Sequence, residues 1–154
     1  MQPLSRQLNI AVNQIAGRLF PCGFDVADTA PQTLEELIDH IHRTGRMLVW
    51  SGASDRTIFA CPETNYAFRA WHDFHHWKRL LPFTDAGERS VCVQQVADLT
   101  ELYGEGDITV SMCRVVYAEV VGQLIHKREF GAFPNDQRAF AEAFLSTGTA
   151  GGPF

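Results

Sequence analysis

The stretch Ile108–Phe130, framed by Gly106 and Gly131, constrains this chain more than any other. Its period is helical, and Val110, Met112, Val115, Val116, Val120, Val121, Leu124 and Ile125 make it apolar nearly all round. A helix of that kind belongs in the middle of a fold, wrapped by others. Asp107 is its expected N-cap and Gly131 its expected stop.

The rest of the sequence supplies the wrapping. Leu4, Leu8, Ala11, Val12, Ile15, Ala16 and Leu19 recur at helical spacing, and Pro21 with Gly23 ends that helix. Thr33 and Glu36 form a capping box for a helix that carries Leu34, Leu37, Ile38 and Ile41 and stops at Gly45. Thr64 caps a helix over Asn65–Leu80, broken by Pro82. Asp85, with Glu88 at the capping-box position, opens one that runs to Tyr103. Pro134 starts a last helix ending near Leu145. The links are short, so neighbours are expected to lie antiparallel.

Between Gly45 and Thr64 the period changes. Met47–Trp50 and Thr57–Ala60 are short apolar or β-branched runs flanking Ser51-Gly52-Ala53-Ser54-Asp55, the pattern of a β-hairpin or of a pair of short extended segments. The expected fold is mainly α: an irregular bundle of five or six helices with one short β-hairpin. Residues 1–146 read as a single domain and the Gly-rich 147–154 as a flexible tail. A chain of 154 residues buries roughly two thirds of its unfolded surface, so it folds without metal or disulfide.

Composition narrows the function classes. The net charge is −5, and basic residues cluster only as Lys78-Arg79 and Lys127-Arg128, which argues against generic nucleic-acid binding. No signal peptide is legible and no uninterrupted apolar run approaches the ~20 residues that span a bilayer, so no membrane association and a cytoplasmic location are expected. Cys22, Cys61, Cys92 and Cys113 lack the spacing of a zinc site and read as free thiols. Eleven Phe favour self-association as a homo-oligomer.

Several polar residues sit where apolar ones are expected. Glu119, Gln123 and His126 form a stripe at i, i+4 and i+7 on the apolar 108–130 helix. Either that stripe meets water, or Glu119 is buried with a partner, because an unpaired buried carboxylate is costly. Glu88 and Gln95 interrupt an apolar stripe containing Cys92 and Leu99, although the capping box alone accounts for Glu88. His72 and His76 lie one turn apart and share a helical face, flanked by Arg69 and Asp73. Two imidazoles at that spacing can hold a metal from one side, with Asp73 or another carboxylate fixing a tautomer. The alternative is a solvated polar face. His40 and His42, near a helix end, read as surface.

Taken together, His72, His76, Glu88, Glu119 and His126 would form a site for a divalent metal (Zn²⁺, Mn²⁺ or Fe²⁺) if they converge between three helices. Glu88 and Glu119 are the candidate catalytic carboxylates, one of them a general base for a metal-dependent hydrolase. The paired E-x-x-H of di-iron bundles, H-E-x-x-H, the Walker A loop, the Rossmann glycine pattern and G-x-S-x-G are all missing.

The segment Arg69-Ala70-Trp71-His72-Asp73, followed by Phe83 and Gly87-Glu88, resembles a pattern of tailed-bacteriophage proteins, R-A-x-H-D with a further His and then F-x-x-x-G-E. That pattern occurs in domains of large phage polypeptides and in small stand-alone proteins. Gly131-x-Phe133-Pro134-x-Asp136-Gln137 is similar to phage sequences more loosely. The further His departs from the pattern, since His75 and His76 both precede its usual place. The resemblance implies a phage or prophage origin, hence a host-cell cytoplasm, and supports His72, Asp73 and Glu88 as functional. It implies no particular reaction. The competing expectation is a non-catalytic protein that binds a host protein through exposed Trp50, Trp71 and Trp77, its polar cluster serving only the packing.

Overall fold

The computed structural model describes residues 2–147, so all of the tail except Thr147 lies outside the described residues. Six helices are present among them. Helix α1 (Arg6–Leu19) is capped by Ser5, whose hydroxyl accepts from the Leu8 amide. Helix α2 (Leu34–Thr44) has the expected Thr33 cap, and Gly45 ends it with φ 70°. Helix α3 (Pro62–Arg79) begins three residues ahead of expectation, because Pro62 is pre-set for a first helical position. Thr64 is buried instead, its hydroxyl accepting from Asn13. Helix α4 (Asp85–Tyr103) is capped by Thr84, not Asp85. Helix α5 (Asp107–Phe130) is continuous but contains a π-helical stretch, Ala118–Gly122. Helix α6 (Gln137–Ser146) starts after Asp136, whose carboxylate accepts from the Ala139 amide.

The fold is mainly α as expected, but the β element is not a hairpin. Strand β1 (Asp25–Ala27) pairs parallel with β2 (Leu48–Trp50), in the register Asp25 to Leu48, Val26 to Val49 and Ala27 to Trp50. Parallel strands need a crossover, and α2 provides it. The Thr57–Ala60 run joins no strand. Its apolar content serves the core: Ile58 and Phe59 are buried, the Ile58 carbonyl accepts from the Leu4 amide at 2.8 Å, and the Ala60 amide donates to the Asn9 side chain. Residues 51–55 therefore form a loop that follows β2, pinned where the Asn65 side chain donates to the Ser54 hydroxyl and Tyr66 donates to the Ser51 carbonyl.

Helix α3 lies between two cores. On one side Phe68 and Trp71 join α1, α4 and α5 in the main core. On the other, Ala70 meets Leu37, Met47 and Val49 from α2 and the strands, with Phe74 and Trp77 packed around them. The polar positions of α3 are enclosed as a result, and His75 and His76 are 3% and 1% exposed. The three tryptophans do not form an exposed set. Trp71 is 0% exposed, Trp77 is half-buried, and Trp50 is the exposed one. A half-apolar helix buried on both flanks thus encloses His75 and His76 and leaves a partial opening at His72.

Helix α5 is central, as its composition requires. By length and mean hydropathy it is the one described helix able to cross a membrane, yet 56% of that window is buried inside the protein. The Cys92 and Cys113 thiols are buried between α4 and α5, and all four cysteines are free. His42 is exposed, but His40 is half-buried and near enough to Asp25 to favour its ionised form.

Two contacts lock α4 onto α3. The Asp98 carboxylate accepts from the Trp71 indole at 2.7 Å and from His75 Nε2 at 2.8 Å. At the other end, a Cβ on Gly87 would stand 1.8 Å from the Pro82 carbonyl oxygen, so no side chain fits there. Gly87→Ala is expected to destabilise the fold by about 1–3 kcal/mol or more in urea titration, since backbone must move. Partial burial raises the Asp98 carboxyl, but the His75 and Trp71 donors outweigh it and hold it below the ordinary carboxylate range. Its contribution is therefore present above the unfolded value near pH 4 and lost as pH falls through the folded one. Asp98→Asn should cost roughly 1–2 kcal/mol at pH 7, and the difference from the parent protein should shrink below pH 4.

Candidate metal centre

His72 and His76, one turn apart on α3, face the first turn of α4, where Glu88 projects between them. The absence of a side chain at Gly87 brings that turn close to the end of α3. Because Thr84 is the cap, Glu88 lies one residue beyond the capping-box position and its carboxylate is free to turn toward the imidazoles. His72 Nε2 is 2.9 Å from Glu88 Oε2, His76 Nε2 is 3.4 Å from Glu88 Oε1, and the two Nε2 atoms are 3.1 Å apart. The three ligand atoms lie within 4.8 Å of one another, close enough to hold a metal ion.

The far side of each ring fixes what points inward. His76 Nδ1 is 2.8 Å from the Leu81 carbonyl, which can only accept, so Nδ1 carries the proton and a neutral His76 presents a bare Nε2 to the centre. His72 Nδ1 is 3.3 Å from Gln95 Oε1 and is assigned the same way. Two lone pairs and a carboxylate thus meet at one point. That arrangement is repulsive unless a cation sits among them, either a proton or a metal. Two ligands about 2.1 Å from one ion, at right or tetrahedral angles, stand roughly 3.0–3.4 Å apart. The His72 and His76 Nε2 atoms, 3.1 Å apart, fall in that range.

Without a metal, a proton does this work. Burial pushes the His72 imidazole down, but the hydrogen bond and charge of Glu88 outweigh it and leave His72 raised. Burial likewise raises Glu88, yet the adjoining His72 and His76 imidazoles hold it far below the usual carboxylate range.

The centre opens on a cavity of about 630 Å³. His72 and Glu88 line it, together with Asp73 and Arg69 of α3 and Glu119 and Gln123 of α5. Both strands end at its mouth: β1 leads into Ala30 and Pro31, and β2 into Trp50 and Ala53. The Arg69 guanidinium sits over the Trp50 ring and donates to the Trp50, Gly52 and Ala53 carbonyls, which ties the 51–55 loop to α3.

Of the five residues expected at one point, His72, His76 and Glu88 meet there. Glu119 lines the same cavity but stands apart from that group, inside the π-helical stretch. Burial drives its carboxyl up to about 7, against the pull of Gln123, Arg69 and His72, and its Oε2 has no hydrogen-bond partner. Asp73 is pushed up to about 6 by burial, offset by His72 and His76. His126 is not at the site. It packs against Phe130 and Phe140, with centroids at 4.6 and 5.2 Å. The reason is geometric: a π-turn adds a residue to the helical repeat and rotates everything beyond it by about 100° relative to an unbroken α-helix. Sequence periodicity assumed no such break.

Gln95 and Arg69 complete the site without having been singled out as members of it. Gln95 is 0% exposed, and its interruption of an apolar stripe was the available signal. No protein-family model, curated protein or solved structure matches the chain.

In metal-free protein, Glu88→Gln removes the anion that raises His72. The His72 imidazole should then titrate at lower pH than in the parent, by about one unit or more, in histidine-resolved NMR. An unchanged titration would mean that Glu88 does not govern this ring.

Proposed function

We propose that this chain is a phage-related, metal-dependent hydrolase whose ion is held by His72, His76 and Glu88. The observation that carries the reading is the meeting of two imidazole Nε2 atoms and one carboxylate, each ring held from behind by an acceptor. Such a donor set suits Zn²⁺, Mn²⁺ or Fe²⁺ and leaves coordination positions toward the cavity. A divalent ion there would supply Lewis acidity beside the pocket floor.

The remaining roles fall to the chain's own groups. Leu81 and Gln95 orient the two rings and fix their tautomers. Glu119, with a carboxyl near neutrality and an unpartnered oxygen, is placed to take a proton from water as general base. The Arg69, His72, Asp73 and Glu88 side chains that carry the resemblance to tailed-phage proteins all line this one cavity, which supports treating them as a functional unit.

Elemental analysis of untagged protein, after loading with Zn²⁺, Mn²⁺ or Fe²⁺ and desalting, should find one ion per chain. His76→Ala should lower metal affinity by about 10–100-fold or more. Glu119→Gln should keep the ion but lose about 10²–10⁴ in hydrolytic rate. Protein that retains no stoichiometric ion under any loading overturns the proposal.

A further inference from the structure

Resting on the reading of this pocket as a hydrolytic metal site, we propose that its substrate is an uncharged aryl carboxamide or ester of small-molecule size, and not a phosphate ester. The cavity has two zones. Its inner end carries Asp73, Glu88 and Glu119 around His72. Its outer part carries an apolar collar of Pro31, Trp50, Phe133 and Pro134, interspersed with the polar Gln32, Asp55, Arg56 and Asn135.

The inner zone disfavours phosphate because it lacks a free cation. Among the described lining residues the guanidinium groups are Arg56 and Arg69. Arg69 is tied to three backbone carbonyls, and its charge faces Glu119 and Asp73. Arg56 lies in the outer part of the cavity, its side chain 72% exposed and 3.8 Å from Asp136. Phosphoryl-transfer sites aim Arg, Lys or metal clamps at the developing charge, and two or three carboxylates at that place oppose a dianion. A carbonyl group suits the zone better: it is uncharged and is polarised by a Lewis acid.

The collar selects the rest of the molecule. Phe133 is 51% and Trp50 45% exposed at the mouth, and large apolar rings left to water at a pocket rim are available to a ligand. The Lys127 ammonium stands over the Phe133 ring, 4.6 Å from its centroid. A cavity of about 630 Å³ lies within the range of small-molecule pockets, so one aromatic ring and its carbonyl substituent fit inside. In the hydrolytic step, the oxygen of water bonds to the carbonyl carbon and the bond from that carbon to the leaving nitrogen or oxygen breaks. The proton taken from water by Glu119 is returned to the leaving atom, giving a carboxylic acid and an amine or alcohol.

Calorimetric titration with benzamide and with phenylphosphonate separates the possibilities. Benzamide should bind both metal-free and metal-loaded protein, and metal-free protein should bind phenylphosphonate at least tenfold more weakly. Phe133→Ala, remote from the metal ligands, should weaken benzamide about three- to tenfold. Metal-loaded protein should hydrolyse 4-nitrophenyl acetate and leave 4-nitrophenyl phosphate at background. The inference is overturned if benzamide does not bind, if phenylphosphonate is preferred by the metal-free protein, or if the phosphate is the faster substrate. Failure of the metal reading looks different: no ion is retained, while the preference for benzamide persists.

Discussion

Helix α3 is enclosed between two cores along most of its length, and the rest of the molecule is arranged around that fact. The main core covers one flank and the smaller core of α2 and the strands covers the other. Apolar side chains gain from this directly. The polar ones do not, and each must be answered by a partner from a neighbouring element. His75 is answered by Asp98, His76 by the Leu81 carbonyl, and His72 by Gln95 and Glu88. The same enclosure that requires these pairings also shields them from screening, so the groups at the centre interact strongly.

The site follows from how little freedom those pairings leave. Once the outer nitrogens of His72 and His76 are engaged, the inner ones are committed to the centre, and Glu88 arrives there with a negative charge. Proton and metal are then competitors for one place. Metal affinity at such a site depends on pH because the ion must displace the proton that otherwise relieves the crowding of lone pairs. Glu119 and Asp73 stand nearby in a different condition. Burial keeps both close to neutrality, which suits transfer of a proton better than capture of an ion.

Much of this was legible in the residues themselves. The i, i+4 spacing places His72 and His76 on one face, and apolar periodicity marks α5 as central. What escaped depends on tertiary geometry. Which carboxylate joins the imidazoles is decided by the approach of the Pro82 carbonyl to Gly87, in a turn whose shape has no sequence signature beyond a proline and a glycine. His126 is lost from the site through a π-turn, and the residues Ala118–Gly122 look like ordinary helix formers. The strand pair was misplaced because three residues carry too short an alternation to read, and Asp25 and Ala27 are not strand-forming types. A loop read as a hairpin turn proved to be a cavity wall for the same reason.

The two histidines at the centre are held by unlike means. Gln95 is a side chain, so a single codon change can loosen, tighten or re-aim the His72 arm. The Leu81 carbonyl belongs to the main chain, in a turn that Leu80 enters with φ 54° and that the Leu81 amide closes by donating back to the His76 carbonyl. No substitution at position 81 removes that oxygen. One arm of the site is therefore exposed to drift and selection, while the other is inherited with the shape of the turn. Diversification of this scaffold would be expected to show first at position 95.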